Sequence, residues 1–374
     1  MGRPDSDLWS IGSEYAWGSY RGEGAQLSYW RALMVLALLV LLPVSATPAA
    51  ATTTHVPGPP TVDASAWVLA DAGSGAVLAW RDPHGWYRPA STLKMLTAVS
   101  LIPVLDPSTS VRASSRAADA VPNVAGLVSG HSYRVSDLFK AMLTISANDA
   151  AVALAQATGS YARGIALMNQ TARRLGARDT VAVDPNGLDA PGQHTSAYDL
   201  ALIARQALRM PSFMHYDATR VFQFPVSPGR WETLYNQNRL LSQYSGGIGG
   251  KIGWTSAAGA TYVGLARRHG VTLIATLLHC PALTEEVSAE QLLNWGFAVD
   301  GRVRPVGHLV SVSIPVQRHA ALTTISVHSA VAPQGGPGGS TVAAFVFTAV
   351  ALLAVGSLVA RARRRRPGAH RGVR

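Results

Sequence analysis

Disulfides contribute nothing inside this chain, because its 374 residues contain one cysteine, Cys280. Stability without covalent staples calls for a large packed core. Cys280 ends an apolar run at 271–278 and reads as a buried thiol rather than a reactive one. Lysine is nearly as scarce: 29 arginines accompany only three lysines, at 94, 140 and 251. Where positive charge alone suffices this chain uses arginine, so a retained lysine marks a place where arginine would fail. Arginine keeps its proton, whereas burial and neighbouring charge can make lysine a base. The 11 histidines show no His-Glu-x-x-His spacing, so no metal and no other cofactor is expected. The formal charge is +11, yet seven arginines lie from Arg361 onward. No basic stripe interleaves with aromatics, which argues against nucleic-acid binding. No internal repeat is present.

Both ends read as addresses. An apolar run at 32–42 follows Arg31 and leads into Pro43 and the small residues at 44–51. That is the pattern of a signal peptide, too short to span a bilayer, with cleavage expected between 46 and 52. The thirty residues ahead of it are long for a signal and carry Asp5, Asp7, Glu14 and Glu23. They fit a start codon placed too early as well as a functional extension. Residues 341–360 carry no charge and suffice for a membrane-crossing helix. Arg361 and residues 363–366, all arginine, follow as expected on the cytoplasmic side. The expectation is a single-pass protein of the cell membrane. Its body would lie outside the cell, tethered through a Pro/Gly-rich linker at 333–339.

The resulting division is an extension and signal at 1–51, a body at 62–300, a stalk and linker at 301–340, a membrane helix at 341–360 and a basic tail at 361–374. Within the body, residues 67–70 and 77–80 read as two strands around a Gly-rich turn. After Pro89-Ala90-Ser91 comes a helical run without a solvated face, hence a buried helix. Helices are expected at 136–144, 150–156, 165–175 and 197–208, strands at 261–265 and 271–278, and a last helix over 283–293. Strands at both ends with helices between them predict an α/β (α+β) fold. Its antiparallel sheet draws on both ends of the domain, is flanked by helices and carries an inserted all-α subdomain.

A serine needs a base in reach before it attacks a carbonyl. Ser91 and Lys94 stand three positions apart, which places both on one helix face. At a helix start the Ser91 N–H also points outward as an anion donor. Two further groups follow in order, Ser146-Ala147-Asn148 and Lys251-Ile252-Gly253-Trp254-Thr255. Ser-x-x-Lys, Ser-x-Asn and a variant of Lys-Thr-Gly together resemble the set of penicillin-binding proteins and serine β-lactamases. Arg88 to Ser91, residues 146–150, Asp184 to Asp189 and residues 292–297 extend the likeness to low-molecular-mass D-alanyl-D-alanine carboxypeptidases, mycobacterium-like in look, from about 66 to 297.

The resemblance implies an acyl-enzyme route on peptidoglycan stem peptides ending in D-Ala-D-Ala, with β-lactams as covalent inhibitors. It implies Ser91 as nucleophile, Lys94 as base and Ser146 as proton relay. Asn148 would hold the substrate backbone, Lys251 would add positive potential, and Gly253, Trp254 and Thr255 would line the substrate strand. The N–H groups of Ser91 and Trp254 would form the oxyanion hole. Ser146 and Asn148 also sit where a helix cap would, and Pro185-Asn186-Gly187 is turn chemistry that His194 would help orient.

Two departures concern recognition. Ile252 stands where the family's threonine helps bind the terminal carboxylate, and Cys280-Pro281-Ala282 replaces a segment that usually holds a basic residue. Thr255 and Ser256 are alternative donors. A β-lactamase is the near rival, but no Glu-x-x-Leu-Asn lies between the second and third motifs, which predicts slow hydrolysis of a penicilloyl adduct. A non-catalytic cell-wall-binding homologue is the rival from another class.

Overall fold

Strand segments from opposite ends of the body meet in one sheet. The computed structural model describes residues 56–310. The signal-like run, the linker, the apolar run at 341–360 and the arginine block lie outside the described residues. Among the described residues, no helix is long and apolar enough to cross a membrane.

The strands in chain order are β1 (Ala66–Asp71), β2 (Ala76–Arg81), β3 (Ser110–Arg112), β4 (Ser132–Arg134), β5 (Val221–Ser227), β6 (Arg230–Tyr235), β7 (Gly247–Thr255), β8 (Gly259–Arg268), β9 (Val271–Cys280) and β10 (Gly307–His308). The main sheet runs β10-β2-β1-β9-β8-β7, antiparallel throughout. β1 is therefore paired with β9, and the two ends of the body close on each other.

A 3-10 turn (Ala90–Leu93) precedes helix α1 (Lys94–Leu101). The remaining helices are α2 (Ser115–Ala118), α3 (Val135–Thr144), α4 (Asn148–Ala157), α5 (Tyr161–Leu175), α6 (Ala197–Leu208), α7 (Pro211–Asp217), α8 (Leu240–Gln243) and α9 (Glu285–Ala298). All eight residues of α1 are buried, as its missing solvated face predicts. Two cores lie on opposite faces of the sheet. Ala66, Val68 and Ala70 join the larger one with α1, α4 and α6, while Trp67 and Leu69 join the smaller one beneath α9. Covering both faces explains why β9 reads as a continuous apolar run rather than an alternating one.

Two expectations need correction, and one helix was not anticipated. The insertion between β2 and β7 is not wholly helical, because it carries the ribbons β3-β4 and β5-β6. Their short segments lack a clean apolar alternation; the outer positions of β5 and β6, Val221, Trp231 and Tyr235, are exposed. The stalk does not begin at 301, because β10 adds to the sheet edge beside β2 and Leu309 is buried. Finally, α7 escapes the sequence reading, being only seven residues long. Cys280 is buried as expected, and burial pushes its thiol up to about 12.

The α4–α5 contact carries a test. A Cβ on Gly164 would lie 2.8 Å from the Cα, Cβ and carbonyl oxygen of Ala155. In an open helix Gly→Ala gains about 1 kcal/mol. Here overpacking, typically about 1 to 3 kcal/mol, should prevail. Gly164→Ala is expected to lower the urea midpoint, and a raised midpoint would show that the helices part without cost.

Candidate active site

Ser91 lies in the 3-10 turn and Lys94 opens α1, so the three-residue spacing spans the junction of two helical forms. Lys94 Nζ lies 2.9 Å from Ser91 Oγ, 2.7 Å from Asn148 Oδ1 and 2.7 Å from the Asn186 carbonyl oxygen. The lysine is fully buried. Burial, then the positive charge of Lys251, lowers its pKa well below the usual range, against weaker pull from Asp184 and Asp149. A neutral amine has two hydrogens and one lone pair. The two oxygens that can only accept take the hydrogens, which leaves the lone pair facing the Ser91 hydroxyl.

Each partner of Lys94 comes from a separate segment. Asn148 is the first residue of α4, and its Nδ2 donates to the carbonyls of Val121 and Pro122 at 2.8 and 3.2 Å. Its donors and acceptor are thus all engaged within the protein. The capping alternative fails, because Ala147 occupies the cap position and no side chain caps α4. Ser146 sits just before with φ +63°, its Oγ buried and without a hydrogen-bond partner.

The turn at 184–189 brings up the Asn186 carbonyl. Asp184 Oδ1 accepts from the N–H groups of Asn186 and Gly187, both at 2.7 Å. Gly187, at φ +84°, turns against the Ala90 carbonyl where a side chain would collide. Gln193 holds the turn by accepting from Val183 and Asp184 N–H and donating to the Leu188 carbonyl. His194 contributes through backbone pairing with Val181, and its ring stacks on Trp86.

β7 passes close over Ser91. A Cβ on Gly253 would stand 2.6 Å from Ser91 N and 2.9 Å from Thr92 N, so only glycine permits this approach. Lys251 on the same strand is 1% exposed and donates to the Ile252 carbonyl at 2.8 Å. Burial lowers it to about 8, with the Asp217 carboxylate acting in the opposite direction. By contrast, Lys140 is a partly exposed lysine paired with Asp137 at 3.7 Å.

A cleft of about 560 Å³ opens over this group, lined by Ser91, Ser146, Asn148, Ile252, Gly253 and Trp254 among others. Trp254 is 59% exposed at its mouth. Sequence reasoning missed Pro122, Asn123, Leu188 and Gln237 as lining residues, and assigned Asp189 only to loop shaping. They arrive from separate loops, so no spacing could have found them. Thr255 is not a free donor: its hydroxyl donates to Asp189 Oδ1 at 3.1 Å and accepts from Ala258 N–H. Asp189 in turn faces Arg88 at 3.4 Å. Ser256 remains exposed at the cleft. Among the described residues no cluster of His, Cys, Asp or Glu is suited to a metal ion.

Comparison with known proteins agrees with this geometry. The family model for D-alanyl-D-alanine carboxypeptidase, peptidase S11, matches residues 51–282. The D-alanyl-D-alanine carboxypeptidase DacB2 of Mycobacterium tuberculosis is 38% identical over 245 residues, covering 63% of this chain and 83% of the relative. DacD of Salmonella typhimurium is 34% identical over 283 residues, 71% of each chain. A crystal structure of a D-alanyl-D-alanine carboxypeptidase from Mycobacterium tuberculosis, 37% identical, superposes with a TM-score of 0.65 over 68% of this chain and 98% of that one. Penicillin binding protein 6B from Escherichia coli, 31% identical, gives 0.59 over 65% and 80%. The chain belongs to the D-alanyl-D-alanine carboxypeptidase family of serine peptidases.

Proposed function

We propose that the chain removes the terminal D-Ala from peptidoglycan stem peptides through an ester on Ser91. One observation carries the reading: a fully buried lysine whose Nζ lies 2.9 Å from Ser91 Oγ and 2.7 Å from both Asn148 Oδ1 and the Asn186 carbonyl oxygen, an arrangement in which a neutral amine turns its lone pair to the serine. Lys94 takes the proton as Ser91 Oγ bonds to the carbonyl carbon of the penultimate D-Ala. The tetrahedral oxyanion rests on the N–H groups of Ser91 and Trp254, one such donor being worth about 3 to 4 kcal/mol. The C–N bond then breaks, and the nitrogen of the terminal D-Ala takes a proton by way of Ser146. Water, deprotonated in turn, cleaves the ester and restores the serine.

Asn148 serves this cycle by aiming Lys94. Its Nδ2 donates to the carbonyls of residues 121 and 122, so the substrate-backbone contact that the resemblance implies would share or replace those bonds. Recognition of the free carboxylate is the weak step. Ile252 brings no hydroxyl and Thr255 donates to Asp189, which leaves Ser256 as the remaining hydroxyl on this rim. Export and anchoring rest on the sequence alone: the run at 32–42 directs secretion, and the run at 341–360 with its arginine block holds the protein in the membrane. β-Lactams are covalent inhibitors on this scheme.

A fluorescent penicillin should label the wild type and not Ser91→Ala; labelling of neither protein would favour a non-catalytic cell-wall binder. Rapid turnover of the adduct would instead favour the β-lactamase reading. The pH dependence has a definite sign. Lys94 must be neutral to accept the proton, so acylation should fall as pH drops through its lowered pKa, well below that of a free lysine. A rate that rises only near the ordinary lysine range would contradict the assignment. Ile252→Thr restores one hydrogen bond to a charged group, worth about 1.5 to 3 kcal/mol, and should raise kcat/KM on a D-Ala-D-Ala peptide by about tenfold or more. No gain would place the limit on recognition elsewhere.

A further inference from the structure

The last residue of α7, Asp217, is 1% exposed and faces the catalytic strand from behind. Its Oδ2 accepts the N–H of Gly250 at 2.7 Å, one residue before Lys251. Its backbone carbonyl accepts from Asn236 Nδ2 at 2.8 Å, which fixes the end of α7. Gly249 makes the approach feasible, since a Cβ there would overlap Asp217 Oδ2. The other carboxylate oxygen, Oδ1, is buried and has no hydrogen-bond partner.

A carboxylate buried with one oxygen unpaired is costly unless positive charge faces it. Lys251 supplies that charge. It belongs to none of the ion pairs within 4 Å among the described residues, and its ammonium donates only to the adjacent Ile252 carbonyl. The two charges therefore interact through the protein interior, where the low dielectric preserves their attraction.

We propose that Asp217 is a positioning residue of the active site that acts through Lys251, anchoring β7 at Gly250 and supplying the counter-charge that keeps Lys251 protonated. The inference rests on the acyl-enzyme reading of the same cleft.

Burial raises the Asp217 carboxyl to about 7, opposed by the Gly250 hydrogen bond and by Lys251. Burial lowers Lys251 to about 8, opposed by Asp217. Between these values the carboxylate is ionised and the ammonium still holds its proton. Other ionisable groups surround the pair. Lys94 on α1 has its pKa lowered partly by Lys251, and the Asp184 and Asp149 carboxylates act on Lys94. From β8, Tyr262 has its phenol raised by burial and then by Glu286 and Asp217. On α3, which packs against α7, Asp137 acts on Tyr216.

Removing the carboxylate charge lowers the Lys251 pKa, so Lys251 loses its proton at lower pH. The test is the pH profile of penicillin acylation in Asp217→Asn, which retains an acceptor for Gly250 N–H, and in Asp217→Ser, which is smaller and cannot clash. The alkaline limb should move down by roughly one pH unit in both. Near pH 6, where the wild-type carboxyl is itself mostly protonated, the Asn variant and the wild type should acylate at comparable rates. An unlabelled wild type would defeat the acyl-enzyme reading itself. A labelled wild type with the same alkaline limb in both variants would overturn this inference alone. Failure of both variants to fold would also overturn it, since Asp217 would then be needed for the fold rather than for Lys251.

Discussion

Keeping Lys94 neutral inside the protein is the constraint on which the rest of the site depends. A charged ammonium with this burial carries a heavy desolvation cost, and Lys251 adds repulsion. The neutral amine is instead met by two acceptors and one hydroxyl at hydrogen-bond distance. Each acceptor must be rigid, because a retreat of either would free a hydrogen and turn the lone pair from Ser91. Asn148 is held by two backbone carbonyls, and the Asn186 carbonyl by the Asp184 turn pressed against Ala90. The insertion therefore orients Lys94 as well as walling the cleft.

The sheet adds the second constraint, close approach. β7 passes so near Ser91 that Gly253 leaves no room for a side chain. Thr261 on the next strand donates to the Pro89 carbonyl at 2.8 Å, which ties the turn that carries Ser91 to the sheet. β7 itself carries Ile252 and Thr255 at the cleft. Ile252 stands in the cleft without a hydroxyl and the Thr255 hydroxyl is turned to Asp189, so this rim offers few side-chain donors.

Much of this was legible in one sequence. The scarcity of lysine marked Lys94 and the third motif marked Lys251, and both are buried, whereas Lys140 sits in an ordinary helical ion pair. The run at 271–278 was legible as a strand, and the missing solvated face of α1 was legible as burial. Less visible were α7, the ribbons and β10. They are short, and β10 depends on a neighbour 230 residues earlier, at Val77, for its pairing.

From the sequence come the pairing of Ser91 with Lys94, its order relative to the later motifs, and the layout of strands around an insertion. Local spacing and side-chain chemistry suffice for those, because Ser91 and Lys94 are neighbours along one turn. Tertiary packing brings Asn148 onto Lys94, commits the Thr255 hydroxyl to Asp189, and sets Asp217 behind the strand that carries Lys251. Those relations join residues 33 to 66 positions apart, and no periodicity in the chain records a contact that packing alone creates.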